Sequence, residues 1–187
     1  YFNAGCAKLR GSGGDEAVGK IEILMEQAGV SPENRRSARA ANRLEAATGK
    51  PAAAMELADG SVVTGKTKDL LGCSSAMLLN ALKRLAGIPD EVKLISKRII
   101  EPIQRLKVTS LHNRNPRLHT DEVLIALSIC AADDEFAARA IAQLPRLAGL
   151  EAHASVLLSP VDEDTFRRLG VNLTCQPKHE TQRLYFR

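Results

Sequence analysis

Apolar positions recur with helical spacing in some stretches of this chain and gather into short extended runs in others. The order of the two kinds is its first legible property. Val18, Ile21, Leu24, Met25 and Ala28 form one helical stripe, opened by Asp15 as a cap and closed by Gly29. Ser31-Pro32-Glu33 then restarts a helix, with serine at the cap and proline in the first turn, where its missing N–H is no loss. This second helix reaches about Ala47 before Gly49 and is too polar for a core element. Residues 1–49 therefore read as a small helical segment, set apart from an α/β part at 50–187.

The pattern changes at Lys50-Pro51. Ala52 to Leu57 and Ser61 to Thr64 read as strands on either side of Asp59-Gly60, a pair that accepts the positive φ of a tight hairpin. A helix from Ser74 as cap to Ala86 stops at Gly87. Val92 to Ile95 predicts a short strand, and Pro102 a brief helix to about Val108. Val123 to Ala132 is apolar nearly all the way round, which predicts a buried helix. Asp133-Asp134 cap another, ended or bent by Pro145. Ala152 to Leu158 is a strand, Ser159-Pro160 opens a helix stopped by Gly170, and Val171 to Cys175 is a last strand. A hairpin followed by alternating helices and strands implies a sheet covered by helices on both faces.

Composition adds exclusions. With 187 residues, 44% of them hydrophobic, the chain can build one sizeable core. No apolar window approaches the ~18 uncharged residues of a membrane span, and no signal peptide is present. The start at Tyr1 without Met reads as a piece of something longer. Four widely spaced cysteines without a C-x-x-C pair fit reduced thiols in a cytoplasm. A net charge of +4, 3% aromatics and no Trp give no stacking platforms for single-stranded nucleic acid. Arg35, Arg39 and Arg43 on one helix face read as a solvated or docking surface. Neither nucleic acid nor membrane is expected as a partner, whereas self-association is.

Candidate chemistry concentrates at Asn115-Pro116-Arg117-Leu118-His119-Thr120-Asp121-Glu122, a polar turn directly ahead of the apolar helix. A helix N-terminus carries unpaired N–H groups and partial positive charge, and a second such terminus lies at Gly72-Cys73-Ser74-Ser75. Lys66, Lys68, His112, Arg114, Arg117 and His119 cluster around the two in sequence, which suits a phosphate or carboxylate. The competing reading is a clamp, with Arg117 pairing Asp121 or Glu122 to fix the helix start. On the ligand reading Lys66, Asn115, Arg117, His119 and Thr120 hold the anion, and Asp121 or Glu122 carries the proton.

Other patterns are weaker. Gly60 to Thr67 satisfies G-x-x-x-x-G-K-[ST], but its interior is Val62-Val63-Thr64, β-branched residues that prefer a strand to a phosphate-cradling loop. Cys73 and His119 each precede a helix and meet if those helices are neighbours, yet no third zinc ligand presents itself. No metal is assigned, and the cofactor stays unknown. Glu151, His153 and Ser155 alternate onto one strand face, more readily a polar strip on an edge strand than a relay line. Cys175 has no obvious activating base.

Pro51 to Ala54, Val63 to Thr67, Leu78 to Lys83, Ile100 to Ile103, Asn115 to Ser128, Gln143 to Pro145 and Gly170 to Cys175 together resemble one bacterial family. Its members are uncharacterised proteins built around a domain of unknown function. The resemblance covers essentially the whole chain, as the C-terminal portion of a protein more than twice as long. It implies an N-terminal part with its own glycine-rich phosphate-type loop, against which this portion packs, and a helical middle region that includes residues 1–49. It also implies an α/β part similar to the cytidine-deaminase type of fold, a three-layer mixed sheet with helices on both faces. Deaminases place zinc ligands at two helix starts, but this chain has neither H/C-x-E at the first nor P-C-x-x-C at the second. Cys73 stands where relatives are expected to carry alanine.

The sequence thus leads to a module that binds, and on one reading acts on, a phosphorylated or nucleotide-like small molecule. The rival is a non-catalytic assembly domain whose polar turn locks an interface.

Overall fold

A computed structural model describes residues 1–180. Its elements are helices α1 (Phe2–Leu9), α2 (Asp15–Gln27) and α3 (Arg36–Thr48), strands β1 (Ala52–Glu56) and β2 (Val62–Lys66), and helices α4 (Cys73–Leu85) and α5 (Lys97–Arg105). Then come α6 (Thr120–Cys130), α7 (Glu135–Ile141), β3 (Glu151–Ala154), α8 (Pro160–Arg168) and β4 (Asn172–Cys175). The strands form one mixed sheet in the order β2-β1-β3-β4. The β1–β2 and β1–β3 pairs are antiparallel, and β3–β4 is parallel.

Strand alternation assigns the two faces. Ala53, Met55, Ala152 and Ala154 share one face and join α4, α6, α7 and Phe166 of α8 in the main core. Ala52, Ala54, His153 and Ser155 face the other way, toward α3, whose Ser37, Ala38 and Ala41 are buried. The result is a three-layer α/β arrangement with helices on both faces of the sheet. The polarity of α3 belongs to its outer side. Small residues on its inner side let it approach a sheet that is itself built of alanines. No helix among the described residues is long and apolar enough to cross a membrane.

The hairpin forms in the expected place, with Gly60 at φ 77°. Gly65 is required by packing: a Cβ there would lie 2.1 Å from the Met77 backbone nitrogen, so its role is to bring β2 against α4. The whole Val62–Lys66 stretch is strand, and the phosphate-loop pattern is a coincidence of letters.

Several expected boundaries shift. Val92 to Ile95 makes no strand; Leu94 and Ile95 bury into the helical core without a ladder. Helix α5 starts at Lys97 and contains Pro102, then widens into a π-type turn at Leu106–Ser110. Helix α6 is not buried all round: Ile125 and Ile129 are 61% and 60% exposed. Strand β3 ends at Ala154 and lies inside the sheet rather than at its edge, with His153 and Ser155 fully buried.

Candidate functional site

The segment after β2 and the segment before α6 run side by side. Leu71 and Leu118 form a parallel bridge, and the Ser75 hydroxyl donates to the Leu118 carbonyl at 3.1 Å. This pairing sets the first turn of α4 beside that of α6. The start of α8 completes the arrangement, because Asp162 in its first turn reaches across to α6.

Asp162 organises the site. One carboxylate oxygen accepts the Thr120 amide at 2.8 Å and the Thr120 hydroxyl at 2.6 Å. The other accepts the Ser159 hydroxyl at 2.7 Å and lies 3.1 Å from His119 Nδ1. Burial pushes the carboxyl upward, but the bonds from His119, Thr120 and Ser159 outweigh it and hold Asp162 at about 2. Its hydrogen bond in turn raises the pKa of His119 above the ordinary histidine value, against partial burial. With Nδ1–H donating to Asp162, Nε2 is the nitrogen left to exchange a proton. The α6 N-terminus, expected to receive an external anion, thus already holds an internal one.

Glu122 is committed elsewhere. It accepts the His119 amide at 2.7 Å, closing the first turn of α6 from its third residue, and pairs at 2.6 Å with Lys107. The buried Lys107 ammonium also donates to the Arg117 carbonyl at 2.6 Å. Asp121 faces a different surface, between α6 and α8.

A cleft of about 70 Å³ lies at this junction, lined by Thr67, Ser74, Asn115, Arg117, His119 and Glu180 among others. Arg117 is only 8% exposed. Its Nε donates to the Lys68 carbonyl at 2.9 Å, and its guanidinium lies 3.7 Å from the Glu180 carboxylate. The Asn115 side chain accepts the Arg117 amide at 3.1 Å and shapes the turn. The His119 side chain keeps 20% of its surface open, whereas Thr120 is fully buried behind it. Lys66 is not here; it lines a separate, larger cleft with Lys68. His112 and Arg114 are exposed and line neither cleft.

Cys73 lies at the bottom of the site, fully desolvated, and burial pushes its thiol up to about 12. It and His119 do share the cleft, but among the described residues no group of three His, Cys, Asp or Glu side chains could hold a metal ion. Helix α4 begins one residue ahead of Ser74, with Gly72 at the cap. Cys175 is likewise buried and pushed up to about 12. His153 bonds Thr174 at 2.8 Å, packs on the Phe2 ring at 4.5 Å, and is held by burial at about 4. Ser155 accepts the Ala52 amide. That strip is structural.

The sequence reading missed Asp162 and Ser159 as site residues. Their spacing marked a helix start, and nothing in that spacing says that the cap also faces another helix.

The family described as "Domain of unknown function DUF1846, C-terminal" matches residues 33–185. A UPF0371 protein of Corynebacterium urealyticum is 51% identical over 185 residues, which is 99% of this chain and 37% of that protein. One from Corynebacterium diphtheriae is 48% identical over the same shares. One from Streptococcus pneumoniae serotype 2 is 46% identical over 172 residues, 92% of this chain and 35% of that protein. The chain thus spans little more than a third of the length of these relatives, and it belongs to the DUF1846 family, over the part described as its C-terminal domain.

Proposed function

We propose that the cleft beside His119 receives the anionic group of a small phosphorylated or nucleotide-like molecule, with His119 Nε2 as the proton carrier. The observation behind this reading is the His119–Asp162 pair: a buried carboxylate fixes one ring nitrogen and raises the basicity of the other, on the wall of a cleft. The cleft volume of about 70 Å³ suits a phosphoryl or carboxylate group, since a water's share of the liquid is ~30 Å³. The rest of the ligand lies outside. Arg117, Asn115 and Thr120 then position the cleft, Arg117 presenting its charge from a packed setting. Asp121 and Glu122 give up the proton-carrying role for the reasons above.

In the longer protein we place an α/β domain at 50–187, docked on the helical segment 1–49, whose α3 covers the sheet and whose Phe2 packs on His153. The reduced-thiol pattern supports a cytoplasmic setting. The test is a thermal-shift screen of the full-length protein against nucleotides, phosphorylated metabolites and inorganic phosphate. A ligand at a hundred times its Kd stabilises by about 2.7 kcal/mol. The shift should vanish in His119→Ala, read against that variant's own unliganded melting point, which falls with loss of the Asp162 bond, and binding should weaken as pH rises through the raised His119 value. A shift that survives His119→Ala sinks the reading.

One observation favours an assembly domain as a second reading. Ile125 and Ile129 on α6, with Val161 on α8 nearby, leave an apolar face uncovered. A second copy of the chain is the cover we propose. Light scattering should then show a dimer that Ile125→Lys with Ile129→Lys dissociates, and a monomeric parent protein would refute it.

A further inference from the structure

We infer that the second cleft, the one that takes Lys66, binds an aliphatic anion: a phosphate or carboxylate carried on a hydrocarbon body. The cleft measures about 660 Å³, within the roughly 300–1,000 Å³ of small-molecule sites. Lys66, Lys68, Lys83, Lys93 and Lys97 line it, against Asp69 and Asp90 as the lining carboxylates. The positive excess calls for an anion.

Lys83 is left without a counter-charge among the described residues. It is 6% exposed, on the inner side of α4. Its ammonium donates to the backbone carbonyl of Asp90 and makes no ion pair among the described residues. A charge taken out of water needs a counter-charge as well as hydrogen bonds, and a carbonyl supplies only the second. Neighbouring groups do not fill the gap. Asn80 is spent on the Thr64 carbonyl, and the Asp90 residue itself is exposed. An anion seated in the cleft would supply the missing charge.

The walls define the rest of the ligand. Leu70, Leu79, Leu94 and Ile100 present aliphatic surface, and among the described residues neither an aromatic ring nor an arginine lines the cleft. A nucleobase would find no stacking partner here, whereas a hydrocarbon chain gains by burial against leucine and isoleucine. Among the described residues this site shares no lining residue with the His119 cleft, so the two assignments stand or fall separately.

Calorimetry on the full-length protein with octyl phosphate tests it. One-to-one binding is expected, with inorganic phosphate and octanol each at least about tenfold weaker, a difference of about 1.4 kcal/mol. Lys83→Met should raise Kd by about tenfold or more and His119→Ala should leave it unchanged. Lys93→Gln with Lys97→Gln, both at exposed positions, should weaken binding measurably and keeps the test readable if Lys83→Met fails to fold. Capture on phosphatidylglycerol vesicles that octyl phosphate displaces would make a lipid the source of the anion. Binding of octyl phosphate without vesicle capture would make it a free metabolite. No binding of octyl phosphate, or equal affinity in the lysine variants, overturns the inference.

Discussion

Replacing Asp162 by Asn keeps the side chain's shape and removes its charge, so it measures what the carboxylate contributes. In the folded protein this carboxyl is held at about 2, against an ordinary value of 3.8. At about 1.4 kcal/mol for each tenfold change in acidity, that difference corresponds to roughly 2 kcal/mol of folding stability. The sign follows from the depression. The contribution is complete above about pH 4, where the unfolded chain is also ionised, and is lost as pH falls through about 2. About half should be gone near pH 3. For a chain of this size roughly 2 kcal/mol is a drop of roughly 4–8 °C in Tm. The raised pKa of His119 reports the same interaction from its other end, so the two are not added. Urea denaturation of both proteins at about pH 7 and about pH 3 is the assay, with the His119 titration followed by NMR. Asp162→Asn should be less stable at neutral pH, the gap should narrow by about half in acid, and the His119 pKa should fall. A gap that is the same at both pH values would refute the claim that a depressed, charged carboxylate holds the starts of α6 and α8 together.

Three further outcomes follow from the same structure. Gly65→Ala drives a methyl into the Met77 backbone and should cost at least about 1–3 kcal/mol in denaturant melts; a neutral result would mean that β2 and α4 are not in such close contact. His153 is held by burial at about 4, so it should stay neutral through the physiological range. Because its folded pKa is depressed, protonation of the unfolded chain should erode stability as pH falls from about 6.5 to about 4, by about 3 kcal/mol; an NMR titration near 6.5 in the native state would contradict this. Cys130, half-buried, should react with iodoacetamide in the native protein well before Cys73 and Cys175, whose thiols burial pushes up to about 12. Peptide mapping after brief labelling shows the order, and early modification of Cys73 would contradict the buried placement.

Most of the architecture was legible because it rests on local physics. Asp59-Gly60 specifies its turn, Ser159-Pro160 and Asp134 specify helix starts, and Gly49, Gly87 and Gly170 stop helices through positive φ. These signals act over a few residues. Where burial decides, the sequence misled. The run from Val123 in α6 is apolar nearly all the way round, yet part of it faces outward, because how far neighbouring helices cover it is a tertiary property. Helix α3 is polar, yet a few small residues suffice to seat it on the sheet.

The candidate site divides the same way. By itself the sequence determined that a polar turn containing His119 precedes the apolar run of α6, since such a change of pattern is local; the structure put His119 at the cap. Only the tertiary structure decided what His119 faces. Asp162 lies 43 positions later in the chain and reaches the imidazole because the Leu71–Leu118 bridge and the sheet bring the starts of α4, α6 and α8 to one place. The same geometry separated Lys66 from Arg117, which the linear order had grouped, and gave each its own cleft. Propensity and capping act between near neighbours and can be read along the chain. Charge pairing and cleft formation act between whichever surfaces the fold brings within a few ångströms, and that distance is set only once the layers have packed.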